Sequence, residues 1–249
     1  MIINLFVKKL FALASGLLLC GAVQAATTTY TWDFSSAAAV MGGTASGQFT
    51  TTTDSVKGTV LTTSSFEERG TNAFREMLNG AISGEGTMSI SMDICWGGNN
   101  SLENIIHVAR SGYGFSLGLS NGKVAINTGN LSAGGAIAAA TLTSGTWTTV
   151  TVDILGHDVT VTLNDGTTTS TATATIADIS WYDGNSDGGD TQNQMYAIGH
   201  KAPGWQNEGK LNGTKLSQLS VSYAAVPEPS SAALSLLALM GFAARRRRK

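Results

Sequence analysis

The chain has 249 residues, of which 42% are hydrophobic and 13% charged, a length that suits one large β domain. Its formal charge of −2 understates an acidic middle, because seven of the fifteen Lys and Arg are Lys8, Lys9 and the Arg245 to Lys249 cluster. Scattered acids without clustered cations argue against nucleic acid as a partner, since phosphate contacts need grouped positive charge.

Residues 1–25 read as an export signal: Lys8 and Lys9, an apolar core from Leu10 to Val23, then Val23-Gln24-Ala25 with small residues where signal peptidase cuts. The expectation is a signal helix cleaved after Ala25. Leu19 stands before Cys20 where a lipoprotein signal wants a small residue, so lipidation is the minor reading. Cleavage leaves Cys95 as the one cysteine, which cannot close an intramolecular disulfide and is expected to be buried as a small apolar residue.

From residue 26 onward the hydrophobic period is two, the signature of strands with one greasy and one wet face. "YTWDF" offers Tyr30, Trp32 and Phe34. "FEERGTNAFREML", residues 66–78, fits a short helix or a loop. In "TMSISMDICW" Met88, Ile90, Met92, Ile94 and Trp96 share a face opposite Thr87, Ser89, Ser91, Asp93 and Cys95. "YGFSLGLSNGKVAIN" places Phe115, Leu117 and Leu119 before an Asn121-Gly122 hairpin turn, with Val124 and Ile126 after it. "GTWTTVTVDI" carries Val150, Val152 and Ile154, and "DVTVTL" carries Val159, Val161 and Leu163, with Gly156-His157 as the connection. "LSVSY" closes the series with Leu219, Val221 and Tyr223, suited to pair with "YTWDF". The fold class is therefore all-β, an antiparallel β-sandwich, with Thr and Ser on the outward positions. Trp96 and Trp147 lie in the strand pattern and are expected in the core.

Few segments carry chemistry. Gly118 to Gly122 satisfies G-x-S-x-G, but a nucleophile elbow needs strand, turn and helix, and Lys123 to Asn127 read as a returning strand. His107, His157 and His200 lack ligand neighbours at i+2 or i+4 and are expected as surface or half-buried residues rather than as metal ligands. "WYDGNSDGGDTQNQ" is the best site candidate. Asp183, Asn185 and Asp187 alternate, Gly188 follows and Asp190 is close, as in the first half of a calcium loop whose short oxygen ligands wrap a hard cation. Gln194 stands where such a loop ends on Glu, so a solvated acidic loop competes with the calcium reading. Trp181, Tyr182 and Trp205 lie near this stretch in sequence, and exposed rings of that kind stack on sugars.

The strands and turns together resemble the laminin-G-like and concanavalin A-like jelly-roll group. Trp147 before a hairpin, Asn164 to Gly166, Ile198-Gly199 and Asn212-Gly213 follow that group's order, over most of residues 28–224. The resemblance implies a lectin-like sandwich and calcium near a ligand-binding edge. Glycosidases on that scaffold place acids at alternate strand positions, and no E-x-D-x-E occurs here. No catalytic residue is expected, and a carbohydrate-active enzyme is the minor alternative.

Residues 226–249 resemble a PEP-CTERM sorting signal: Pro227, Glu228 and Pro229, an apolar run from Ala232 to Ala244, then Arg245, Arg246, Arg247, Arg248 and Lys249. As a helix that run spans about 20 Å, short of the roughly 30 Å hydrocarbon core, and its cations favour the cytoplasmic side. The resemblance implies exosortase as a processing partner, with transient contact with the inner membrane through a short C-terminal helix. The expected organisation is a signal peptide over 1–25, a sandwich over 26–225 and the sorting signal over 226–249. The expected function is an exported cell-surface or matrix protein that binds glycan or exopolysaccharide. A structural envelope protein without a defined ligand is the alternative.

Overall fold

The computed structural model describes residues 26–109, 112–129, 137–181, 194–201 and 209–226. Among these, the strands are β1 Thr27–Trp32, β2 Thr44–Ser46, β3 Phe49–Asp54, β4 Gly58–Ser64, β5 Glu67–Arg69, β6 Gly86–Cys95, β7 Leu102–Val108, β8 Phe115–Ser120, β9 Lys123–Thr128, β10 Ile137–Thr141, β11 Trp147–Leu155, β12 Asp158–Asn164, β13 Thr169–Thr175, β14 Met195–Ile198 and β15 Lys215–Ala225. One helix, α1, spans Ala73–Ile82 between β5 and β6. An eight-stranded sheet runs β13-β12-β11-β6-β15-β4-β3 with β1 paired to β15, and a seven-stranded sheet runs β10-β9-β8-β7-β14-β5-β2. The two antiparallel sheets form the sandwich that the alternating pattern predicts.

The inward faces are those read from the period of two. Ile90 and Met92 of β6 pair with Val152 and Val150 of β11, which pair in turn with Val161 and Leu163 of β12. The seven-stranded sheet contributes Ile106, Val108, Phe115, Leu117, Ile126, Tyr196 and Ile198 to the same core. Each such aliphatic side chain contributes about 1.5 to 3 kcal/mol by leaving water. The terminal strands pair as expected, with Tyr30 opposite Val221 and Trp32 opposite Leu219.

Turn chemistry also follows the sequence. Asn121 and Gly122 both have positive φ, 51° and 72°, which gives the hairpin between β8 and β9 the twist its strands need. Ser120 thus ends a strand that turns straight back, so the G-x-S-x-G match is a hairpin. Residues 66–78 divide into β5 and the first part of α1, where Phe74, Met77, Leu78 and Ala81 supply the buried stripe at helical spacing.

Two expectations fail on the tryptophans and histidines. Trp96 is partly buried against the core, but Trp147 pairs with Cys95 on the outer face, half-exposed, with Lys57 Nζ 6.0 Å from its ring. One position in the alternation separates it from the buried Thr148. His107 and His200 are fully buried, not superficial. Both lie on or beside strands whose two faces are covered, so burial there does not require an apolar residue. His157 is half-exposed, as expected, 3.5 Å from Asp178.

Thr27–Ala224 makes up one unit of the chain, and of the second unit only Ala26, Ala225 and Val226 are described. The expected signal helix, the cleavage site at Ala25 and the C-terminal apolar run lie outside the described residues. Among the described residues no helix is long and apolar enough to cross a membrane.

Candidate functional site

The chemistry-bearing residues gather on the outer face of the seven-stranded sheet. Strand register sets Ser46, Glu67, Ala197, His107, Ser116 and Asn127 in one row across six strands, β2, β5, β14, β7, β8 and β9. Beside it runs a second row of Asn104, Gly118, Ala125 and Ala138, mostly without side-chain bulk. Outward positions normally meet water, yet Glu67, Asn104, His107, Ser116, Ala125 and Ala197 are all buried.

Within this face the carboxylate of Glu67 is only half satisfied. Its Oε2 accepts from Arg69 Nε at 3.1 Å and Nη2 at 2.5 Å, two residues along the same strand and so on the same face. Its Oε1 is buried without a hydrogen-bond partner, although the side chain is 2% exposed, and the Arg69 side chain is 51% exposed. Asn104 Oδ1 is likewise buried and unpartnered. An unsatisfied buried acceptor costs about 1 to 3 kcal/mol, more when charged. Such a group calls for a ligand, an ion or water to complete it. The row is not a nucleophilic relay, because Ser116 Oγ donates to the Gly129 carbonyl.

Two other buried glutamates have a different task. Glu68 faces inward and accepts from the backbone N–H of Val40, Met41 and Gly43, at 2.7 to 3.3 Å, and from Tyr196 Oη at 2.5 Å. Burial, then the hydrogen bond to Glu68, pushes the Tyr196 phenol far above its ordinary range. Glu103 accepts from Asn99 Nδ2 at 3.1 Å, Asn212 N at 2.6 Å and Thr214 Oγ1 at 2.5 Å. Both are locks that hold loops by satisfying donors. His200 bridges similarly, each ring nitrogen 3.0 Å from a carbonyl oxygen, of Lys201 and of Phe66. Sequence reading missed all three glutamates because it searched for alternating acids; the available signal was a charged residue inside an apolar strand, as in "LENIIHV".

Of the expected site residues, Trp181 alone is described. Its indole Nε1 donates to Asn79 Oδ1 at 3.0 Å and Arg75 Cζ lies 5.0 Å from its ring centroid, so it packs on α1. Tyr182, Asp183, Asn185, Asp187, Asp190, Trp205, Pro227, Glu228, Pro229 and Arg245 to Arg248 lie outside the described residues. The stretch with the four calcium-loop residues ends at Gln194, whose carbonyl accepts from Gly70 N at 2.7 Å and Thr71 N at 3.2 Å. Arg69 pairs with Met195, so that end sits beside the Glu67 row. Among the described residues no group of three or more His, Cys, Asp or Glu is placed to hold a metal.

A separate open cleft of about 130 Å³ is lined by Thr141, Thr143, Thr148, Asp165, Thr168 and Ser170, with Leu142 and Leu163. Its one carboxylate is spent on its own turn: Asp165 accepts from the backbone and side chains of Thr167 and Thr168, which holds its pKa far below the usual range.

The fold and its end sequence define an antiparallel β-sandwich carrying a sorting signal. Residues 225–248 match the PEP-CTERM protein-sorting motif, which implies export and exosortase sorting. A comparison with curated proteins found no match. Among solved structures, the chain is similar to a Shewanella oneidensis MR-1 protein of unknown function at 12% identity, covering 85% of this chain and 94% of that one, with a TM-score of 0.43. It is also similar to the binding domain of botulinum neurotoxin DC in complex with rat synaptotagmin II, at 11% identity, 86% and 51% coverage and a TM-score of 0.47. A third is the botulinum neurotoxin serotype C1 binding domain, at 12% identity, 78% and 46% coverage and a TM-score of 0.43. The chain spans about half the length of the neurotoxin chains. None of these three reaches a TM-score of 0.5, and none bears on function.

Proposed function

We propose that this is an exported, exosortase-processed surface or matrix protein whose sandwich binds glycan or exopolysaccharide at the outer face of the seven-stranded sheet. The observation that carries the reading is the unpartnered Glu67 Oε1 within a row of hydrogen-bonding side chains. A sugar hydroxyl donates to such an oxygen, and the half-exposed Arg69 supplies donors beside it. The jelly-roll resemblance belongs to the same reading and is supported by its marker turns. Trp147 opens β11, Asn164 to Gly166 lead from β12 to β13, and Gly166, Gly199 and Gly213 all have positive φ. Calcium held by Asp183, Asn185, Asp187 and Asp190 would sit on a stretch whose end adjoins this face, with Trp181, Tyr182 and Trp205 as stacking surfaces. We assign the sandwich no catalytic residue.

A glycan array run with and without chelator tests the binding. Binding that weakens in Glu67→Gln supports the site, and no binding in either condition removes the lectin reading. A melting temperature indifferent to chelator removes calcium. Mass spectrometry of the surface protein tests processing: Arg245 to Lys249 are expected to be absent. The second reading is a structural matrix protein without a defined ligand. What favours it is the burial of the row, which requires movement before a ligand can reach Glu67.

A further inference from the structure

The inward row of β11 reads Thr148, Val150, Val152 and Ile154, and the first of these does not match the rest. Thr148 is 4% exposed, yet among the described residues its hydroxyl has no hydrogen-bond partner. Valine has the same shape without the oxygen, and a buried hydroxyl left unsatisfied costs about 1 to 3 kcal/mol. The core gains nothing from this oxygen. It lines the open cleft of about 130 Å³ that β10 and the ends of β11, β12 and β13 enclose.

The cleft has an apolar floor and a polar rim. Leu142 and Leu163, both buried, lie at its base with Thr148. Thr141, Thr143 and Ser170 are exposed and add hydroxyls that can each donate once and accept twice. Thr168 differs, because it donates to Asp165 Oδ2 at 3.0 Å and so turns only acceptor lone pairs to a ligand. Hydrogen bonds from Thr167 and Thr168 hold the Asp165 carboxyl far below the usual range, which keeps it ionised and the Thr168 hydroxyl fixed in direction. The opposite wall is tethered as well: Leu142 N donates to Gly122 O at 2.7 Å and Gly145 N to Trp96 O at 2.9 Å. Groups held in place before a ligand arrives lower the cost of binding it.

Charge and size narrow the ligand. An anion finds no Lys or Arg among the described lining residues and meets Asp165 instead. An apolar molecule would leave Thr148 and the rim unsatisfied. A sugar ring carries hydroxyls around its edge and C–H groups on its face, which answers both rim and floor. The volume is roughly ten times the 10 to 15 Å³ that admits one water and below the roughly 300 Å³ at which drug-sized pockets begin. One ring enters, and any further chain stays outside. We propose that this cleft binds a single neutral sugar residue, with the Thr148 hydroxyl as its hydrogen-bonding contact at the floor. The site is separate from the Glu67 face and does not depend on the reading given for that face.

Saturation-transfer NMR tests this on the full chain, in a detergent without a sugar headgroup. The probes are the methyl glycosides of glucose, galactose, mannose and N-acetylglucosamine at millimolar concentration, with methyl glucuronide as the anionic control. At least one neutral glycoside is expected to receive saturation and to shift the amide signals of Leu142, Thr148 and Thr168, with the glucuronide weaker than the glucoside. Thr148→Val is expected to lower affinity about tenfold, the worth of one hydrogen bond, while its melting temperature stays level or rises. Thr148→Ser keeps the oxygen and is expected to bind like the unaltered chain, at a lower melting temperature because a buried methyl is lost. Glu67→Gln is expected to leave these shifts unchanged, so failure at this cleft and failure at the outer face are read separately. The proposal is overturned if no neutral glycoside receives saturation, if the shifts fall only on the Glu67 row, or if the glucuronide binds more tightly than the glucoside. It is equally overturned if Thr148→Val binds as well as the unaltered chain, or loses affinity and melting temperature together, which would make the hydroxyl a structural group.

Discussion

The hydroxyl of Tyr196 donates to Glu68 Oε2 at 2.5 Å inside the sandwich, joining β14 to β5 while the same carboxylate holds the loop at Val40 to Gly43. Glu68 is fully buried, and four donors converge on its two oxygens. A buried charge is tolerated only when satisfied in this way.

Glu68→Ala strands three backbone N–H groups and a phenol, each worth about 1 to 3 kcal/mol when left without an acceptor. Urea denaturation should show a loss of roughly 4 kcal/mol or more, against about 1 to 2 kcal/mol for Tyr196→Phe, which removes a single donor. Equal losses would mean that Glu68 serves Tyr196 alone and not the loop. In spectrophotometric titration of the native protein, Tyr196 should stay un-ionised until the fold opens, since burial and Glu68 both raise its pKa.

Glu103 holds the turn that leads into β15 through Asn212 N and Thr214 Oγ1. Glu103→Ala should destabilise by about 1 to 3 kcal/mol, because it leaves the buried Thr214 hydroxyl without its acceptor and frees the part-buried Asn212 N–H. Hydrogen exchange at the Asn212 amide should accelerate before global unfolding. Protection unchanged at Asn212 would show that the turn is held by something else.

Asp33, Asp54 and Asp165 all have carboxyl pKa values below the ordinary 3.8, chiefly through hydrogen bonds from Ser35, from Val56 N and from Thr167 respectively. Folded pKa values that lie below the unfolded ones give stability that is present above the unfolded pKa and lost as pH falls through the folded one. The melting temperature should therefore decline once pH drops below about 4. The gap between wild type and Asp165→Asn should shrink in acid and reach its plateau above that pH. A gap that widened in acid would contradict the turn's hydrogen bonding.

Gly122 and Gly156 both have positive φ, 72° and 60°, but differ in what surrounds them. A Cβ at Gly122 would lie 2.7 Å from Trp96 ring carbons, whereas one at Gly156 meets open space. Gly156→Ala should cost about 1 to 2 kcal/mol of backbone strain. Gly122→Ala should cost that plus about 1 to 3 kcal/mol for displacing the ring, with a change in Trp96 fluorescence. Equal costs would show that the ring yields freely.

Local pattern made most of the sandwich legible. Met88 to Ile94, Val150 to Ile154 and Val159 to Leu163 announce their inward faces, because a strand's side chains alternate whatever it pairs with. The hairpin at Asn121-Gly122 was legible for a similar reason, since two positive φ angles in succession suit few other residues. Trp147 was misplaced because membership of the strand pattern was read as burial, while its alternation with Thr148 and Val150 sets it outward.

The polar row was not legible, because its members are scattered from Ser46 to Ala197 and meet only through strand order. Glu67 and Glu68 make the point most sharply. Adjacent in sequence and identical in type, they face opposite sides of β5: one is a satisfied lock, the other keeps an open oxygen. The sequence by itself determined the all-β class, the inward faces of β6, β11 and β12, the Asn121-Gly122 turn and the terminal signal the chain carries, since these depend on neighbours a few residues apart. Only the tertiary structure decided which strands lie side by side, and hence which carboxylate is completed, because register joins residues that no local spacing relates.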